Sequence, residues 1–208
     1  MNTSNRTIIS ILLGLAMASI PYTFDHFQVL QAQMDMASSH MNMSAPADYN
    51  SIKFVPYRNP NLGIQIIHPV SWRPVENITS RGHTVEFMPA VESEHQQLMP
   101  FVTLSIEKTG NKISDLKSLT NQNLQIAKSM PGFHMINSSD IVLSGIPAHK
   151  MMYTFDSPVP IPAGFQSMNI WTIKGNTVYT ISYSEAKSEF VKHIPAIEKM
   201  VKSFSISS

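Results

Sequence analysis

The chain has 208 residues and a formal net charge of +1, with 43% hydrophobic residues, 14% charged residues and no cysteine. The length predicts one domain with an appendage, or at most two small domains. The lack of cysteine excludes disulfide frameworks, thiolate zinc clusters, thiol nucleophiles and a cysteine-linked lipid anchor. The near-neutral charge, with no basic block, excludes the surface of a nucleic-acid-binding protein.

Residues 1–20 have the pattern of a targeting segment. Arg6 gives the start one positive charge, and an apolar run follows at residues 8–20. This run has the length of a signal-peptide core and is short for a span of about 30 Å of hydrocarbon. Small residues ending at Ala18 suit signal peptidase, and Ala32 marks a second candidate site. The segment is interpreted as a signal peptide or N-terminal anchor, so the protein is expected to be exported, either membrane-anchored in the cell envelope or secreted.

Residues 21–50 are interpreted as a flexible linker, because the stretch 33–50 has neither strand nor helix periodicity. Thioether and imidazole side chains lie close together in it: Met34, Met36, His40, Met41 and Met43. Thioethers select Cu(I), and imidazole also binds copper. A copper site is therefore one hypothesis. A plain tether, in a chain with 14 methionines, is the other.

Residues 51–208 are predicted to form one folded domain that begins with β-strands. The clearest strand pattern is the alternating run 101–107. The sequence from Pro69 to Pro74 is interpreted as a bend, and residues 89–100 as a surface loop. Three further short runs have strand character: 52–57, 63–68 and 84–87.

A helix is predicted after these strands, because the apolar period changes to 3.6 residues. Ser114 is a candidate N-cap, Asp115 suits the positive helix end, and Pro131-Gly132 ends the pattern. Leu116, Leu119, Ala127 and Met130 share one face. Three strands are predicted beyond the helix: 133–137, 141–143 and 148–155.

The strongest local signal is a β-hairpin made of residues 166–173 and 177–183. Its turn contains Gly175-Asn176, and these residue types tolerate the positive φ that tight hairpin turns demand. On the first strand, Trp171 and Ile173 are expected to face one way. On the second strand, apolar residues alternate at Tyr179, Ile181 and Tyr183.

The chain closes with an amphipathic stripe from Phe190 to Phe204. An interior proline costs a helix about 3 kcal/mol but is neutral at the first helical position. We therefore predict a short turn at 188–193 and a main helix from Pro195 to about Ser203. Glu185 and neighbouring charged residues are expected to form a solvated helix face.

This order of strands, helix, strands and helix predicts an α+β fold with a curved, mainly antiparallel sheet covered by helices. Hairpins need no βαβ crossover, so a doubly wound parallel sheet is not expected.

Several turns and core positions resemble the PsbP-like family. The resemblance covers about residues 52–206 and implies an α/β/α sandwich. Because its motifs are turns and core positions, it supports the fold better than the function. The residues that carry it are Phe54 and Tyr57; Gly63-Ile64 before Pro69 and Trp72; Ser144-Gly145-Ile146-Pro147-Ala148; Trp171-Thr172-Ile173, Gly175-Asn176 and Val178-Tyr179; and Ile197, Val201 and Ser203-Phe204.

The family's founding member is an extrinsic protein of the oxygen-evolving side of photosystem II, associated with calcium and chloride retention. Related domains occur in exported prokaryotic proteins with no photosynthetic role. The resemblance therefore implies calcium by analogy alone, and Asp140, Asp156 and Glu189 are isolated in the sequence rather than spaced as a calcium loop.

No nucleophile elbow, phosphate-binding glycine loop or zinc-protease helix motif occurs in the sequence, so an enzyme is not expected. The scattered histidines, among them His134 and His149, are interpreted as strand-end and surface residues rather than metal ligands. The main hypothesis is a non-catalytic accessory or binding module outside the cytoplasm, held near the membrane and supporting a membrane protein complex. The alternatives are a copper-binding protein that uses the linker, or a carrier of a small ligand or lipid in a cleft between sheet and helix.

Overall fold

A computed structural model describes residues 52–78, 82–89, 101–109, 115–156 and 164–207. In this part of the chain the strands form two antiparallel sheets, and two helices pack against them. The helices are α1, Leu116–Lys128, and α2, Lys187–Ser203. The strands are β1 Phe54–Asn59, β2 Ile64–Pro69, β3 Trp72–Ile78, β4 Gly82–Pro89, β5 Phe101–Lys108, β6 His134–Leu143, β7 Ile146–Phe155, β8 Phe165–Lys174, β9 Thr177–Ala186 and β10 Ser205–Ile206.

The larger sheet has the strand order β3-β4-β5-β9-β8-β7-β6, and the smaller sheet has the order β1-β2-β10. Successive side chains of a strand point to opposite faces, so the larger sheet buries two apolar surfaces. α1 covers one face, and Trp171 and Met151 lie in the hydrophobic core between this face and α1. α2 and the smaller sheet cover the other face, around Ile170, Tyr183 and Phe190. The α+β class, the antiparallel sheet and the C-terminal helix are confirmed.

The predicted hairpin is also confirmed as β8 and β9. Lys174 pairs with Thr177, and Gly175 in the turn has a φ of 59°. Trp171 lies in the core under α1, whereas Ile181 lies in the core under α2, as alternation along the two strands requires.

The bend predicted from Pro69 to Pro74 is wrong in its second half, because Trp72 begins β3. Arg73 to Ile78 continue this strand, which pairs with β4. Proline cannot donate a backbone hydrogen bond, but β3 is an edge strand in the larger sheet and needs no donor on its open side. Pro74 is therefore compatible with a strand at this position.

The two short strands predicted at 133–137 and 141–143 are one continuous strand, β6. The pairing with β7 shifts between Met135 and Asn137, so Ile136 forms a bulge. Residues 138–140, between the two predicted strands, are polar, and they fit within β6 because it is an exposed edge strand, which does not require apolar side chains.

Both helix starts differ from the prediction. The N-cap of α1 is Asp115, whose Oδ1 accepts a hydrogen bond of 2.8 Å from the Ser118 N–H; Ser114 lies outside the described residues. α2 begins at Lys187 and continues through Pro195 without the predicted break. Pro195 cannot bond to the carbonyl of Val191, which lies on the exposed side of the helix, where water can solvate it.

Tyr57 joins the two sheets. Its hydroxyl donates to Glu76 Oε1 at 2.6 Å, and the amide of Asn59 donates to Glu76 Oε2 at 3.1 Å. Burial, reinforced by the hydrogen bond to Glu76, raises the pKa of Tyr57 to about 12. The phenol is therefore a neutral hydrogen-bond donor to Glu76 over the whole physiological range.

Neither helix of the described residues combines the length and the apolar character that a membrane span requires.

Candidate functional site

A cleft of about 340 Å³ lies between the C-terminal half of α2 and the strands β6, β7 and β8. Strand alternation and the stripe of α2 bring apolar side chains together at its floor, and three of them are almost completely buried. The floor is formed by Ile141, Leu143, Met168, Ile170 and Val201. We call this feature the β6–α2 cleft.

The rim of the β6–α2 cleft carries charge of both signs. Lys150 on β7 and Lys202 on α2 are cationic, and Glu198 is the one acidic residue among the lining residues. Lys150 Nζ lies 3.9 Å from Glu198 Oε1, with side-chain exposures of 26% and 45%. An ion pair with this distance and this exposure contributes little to the stability of the fold. The rim therefore keeps an excess of positive charge above an apolar floor.

The free side of β6 borders the same cleft, and we call it the β6 edge. Two of its apolar side chains are exposed, Ile136 at 47% and Val142 at 72%. Asp140 is its one residue with a formal charge, and its carboxylate bonds to His149. An edge strand without lysine or proline is open to pairing with another strand.

The opposite edge of the larger sheet is protected. β3 carries Arg73 and Glu76, which are exposed, and Pro74, which lacks a donor. Such residues are the devices by which proteins block edge-to-edge association. β6 has a bulge at Ile136 and one formal charge, at Asp140, so among the residues described its continuous segment 137–143 is the less protected edge of this sheet.

A buried polar network fixes the start of α2. Glu185 is 4% exposed, and its Oε2 accepts from the hydroxyl of Tyr183 and lies 2.7 Å from His193 Nδ1. The Tyr183 hydroxyl also lies 3.2 Å from the carbonyl oxygen of Phe190. The expectation that Glu185 belongs to a solvated helix face is wrong, because it sits at the end of β9 and points into the junction with α2.

The other predicted site residues are separated from one another or lie outside the described chain. Within the described ranges no three His, Cys, Asp or Glu side chains come close enough to hold a metal ion. His149 is 9% exposed and packs on Trp171, so it is not a surface residue as expected. The targeting segment, the linker and the proposed copper ligands all lie outside the described residues, and the hypotheses about them remain predictions. Those ligands are Met34, Met36, His40, Met41 and Met43.

Comparison with known proteins places the chain in a family. A model of the PsbP-like protein family matches residues 9–206. No curated protein sequence matches the chain significantly.

Solved structures share the fold at low sequence identity. LpqN of Mycobacterium tuberculosis, described as involved in cell envelope biogenesis, is 15% identical with a TM-score of 0.55, over 76% of this chain and 93% of its own. Cyanobacterial PsbP of Synechocystis is 11% identical with a TM-score of 0.53, over 79% and 98%. The Ran-binding protein Mog1p of Saccharomyces cerevisiae is 11% identical with a TM-score of 0.51, over 75% and 96%. At these identities the similarity concerns the fold alone.

Proposed function

This chain belongs to the PsbP-like protein family, and on that premise we propose that it is a non-catalytic binding module outside the cytoplasm that supports a membrane protein complex of the cell envelope. Two proteins of the same fold each support one part of this proposal: LpqN is described as involved in cell envelope biogenesis, and Mog1p is described as a Ran-binding protein. The signal-like residues 1–20 would export the domain, and an uncleaved segment would hold it at the membrane.

The observation that carries this proposal is the β6 edge, which is less protected than the β3 edge. β6 is ten residues long and pairs on one side with β7. Its open side can take an extended segment of a partner protein, which would add a strand to the larger sheet through backbone hydrogen bonds. Ile136 and Val142 would then serve as apolar anchors for the partner's side chains, because both are already exposed.

Val142→Glu should reduce partner recovery at least about tenfold, since a carboxylate that loses its water at an apolar contact costs more than 1.4 kcal/mol. The measurement is a pull-down from detergent-solubilised membranes with the tagged chain, followed by mass spectrometry. Val191→Glu is the matched control, because Val191 is 71% exposed against 72% for Val142 but lies on α2. The proposal is wrong if no partner is recovered repeatedly, or if both variants recover it equally.

The β6–α2 cleft favours a second candidate function, the carriage of a small amphiphile. Its apolar floor would hold a short hydrocarbon segment, and Lys150 and Lys202 would pair with an anionic head group. Such a ligand should appear bound when the intact protein is analysed by native mass spectrometry. Lys202→Glu should release it, whereas Lys187→Glu, the same charge change at the exposed start of α2, should retain it. Wild-type protein that carries no ligand would exclude this candidate.

A further inference from the structure

Three polar side chains form a hydrogen-bonded chain on the face of the sheet that also carries α1. Ser138 Oγ lies 2.8 Å from His149 Nε2, and His149 Nδ1 lies 2.7 Å from Asp140 Oδ1. Ser138 and Asp140 share a face because they are two residues apart on β6. His149 lies directly across from Asp140 in the β6–β7 register, so the two strands bring all three together.

The chemistry of these groups sets the direction of each hydrogen bond. An ionised carboxylate only accepts, so the Nδ1–H of His149 donates to Asp140. In the neutral ring this leaves Nε2 as an acceptor, and the Ser138 hydroxyl donates to it. A serine hydroxyl that donates to an imidazole, itself oriented by a carboxylate, is the arrangement that activates serine as a nucleophile.

His149, the base of this arrangement, is held firmly by packing, whereas Ser138, the nucleophile, is accessible. The ring of His149 is 11% exposed and packs on the indole of Trp171, with centroids 5.2 Å apart. Trp171 is fixed in turn, since its Nε1–H donates to Thr120 Oγ1 of α1 at 2.9 Å. Ser138 itself is exposed on the edge strand, so a reagent in solution can reach its oxygen.

The edge position also supplies hydrogen-bond donors. In an antiparallel edge strand, alternate N–H groups point away from the neighbouring strand. The bulge at Ile136, two residues before Ser138, interrupts the ladder with β7 as well. Backbone N–H groups of this kind stabilise the oxyanion that forms when a carbonyl carbon is attacked.

We propose that Ser138, His149 and Asp140 form an acyl-accepting site, an activity that goes beyond the proposed binding function. The substrate class is an activated carboxylic ester. Ser138 Oγ bonds to the carbonyl carbon while its proton passes to His149 Nε2. The bond from that carbon to the alcohol oxygen then breaks, and the departing alcohol takes the proton from Nε2. The products are O-acyl-Ser138 and the free alcohol.

The test is acetylation of the full chain by p-nitrophenyl acetate, followed over time by mass spectrometry of the peptide between Lys128 and Lys150. The acetyl group should accumulate on Ser138. His149→Gln should slow this modification at least about 100-fold, the usual contribution of a general base. Asp140→Asn should slow it less, because the Asp140 side chain is 90% exposed and water competes for its carboxylate. Ser139→Ala, on the opposite face of the same strand, should leave the rate unchanged.

A second measurement uses the lack of cysteine in the chain. Ser138→Cys and Ser139→Cys each create a single thiol, and iodoacetamide alkylation should be at least about tenfold faster for Ser138→Cys because His149 takes the thiol proton. Adding His149→Gln should remove the difference. The proposal is overturned if acetylation of Ser138 proceeds equally fast with His149→Gln, or if the two thiols react at the same rate.

Discussion

Replacing Phe190 by alanine is expected to lower the free energy of unfolding by about 3–5 kcal/mol. The ring is fully buried and stacks on Tyr183, with centroids 4.7 Å apart and an angle of 28° between the planes. It anchors the first turn of α2 to β9, next to the network around Glu185. Alanine would leave a cavity there that the rigid sheet cannot fill, because interiors are close-packed.

Urea denaturation followed by tryptophan fluorescence measures this loss, because Trp72 and Trp171 are both buried. Val191→Ala is the control, since the next residue of α2 is 71% exposed and should change the stability by less than about 0.5 kcal/mol. A difference between Phe190→Ala and the wild type of under about 1 kcal/mol would contradict the packing described for α2.

The second large loss of stability is expected in the core between the sheet and α1. Trp171→Ala should also cost about 3–5 kcal/mol, because the indole is fully buried in the core between the sheet and α1. It further removes the hydrogen bond from Nε1 to Thr120, and the surface on which the His149 ring packs. One substitution therefore weakens the attachment of α1 and the positioning of His149.

Trp171→Phe separates the apolar packing of the indole from its hydrogen bond to Thr120. Phenylalanine keeps most of the apolar contact but not the N–H, so a smaller loss of about 1 kcal/mol is expected from the hydrogen bond, besides some loss of contact area. Thr120→Val removes the same hydrogen bond from the other side, and the double variant should show that the two effects are not additive. Additive losses would mean that this hydrogen bond contributes nothing to stability. Ser138 acetylation should slow in Trp171→Ala, if measured where the variant is still folded.

Local sequence patterns predicted the helices and strands well where an element buries apolar side chains that follow its own period. The β8–β9 hairpin is an example, because its turn residues and alternating side chains are contiguous. The predictions were wrong where the environment overrides the local pattern. Pro74 suggested a bend but lies exposed in an edge strand, and Pro195 suggested a helix break but faces solvent. In both places the missing hydrogen bond is tolerated because of the position in the fold.

The candidate sites also depend on contacts between residues that are distant in the sequence. The polar run that includes Ser138 and Asp140 gave no sign of chemistry, since the base that contacts it is on the next strand. The β6–α2 cleft combines residues 141–150 with Met168 and Ile170 of β8 and with Glu198, Val201 and Lys202 of α2. The spacing of residues in the sequence does not predict this contact, because the contact depends on strand register and on where α2 crosses the sheet.

Contiguous residues of this protein were enough to establish the family, the α+β class, the closing helix and the hairpin, since turn chemistry and side-chain period act over a few positions. The tertiary structure alone decided that Glu185 is buried, that β6 is the open edge and that Ser138 faces His149. The physical reason is that burial, exposure and contact across strands are properties of the packed sheet, where residues distant in the chain become neighbours.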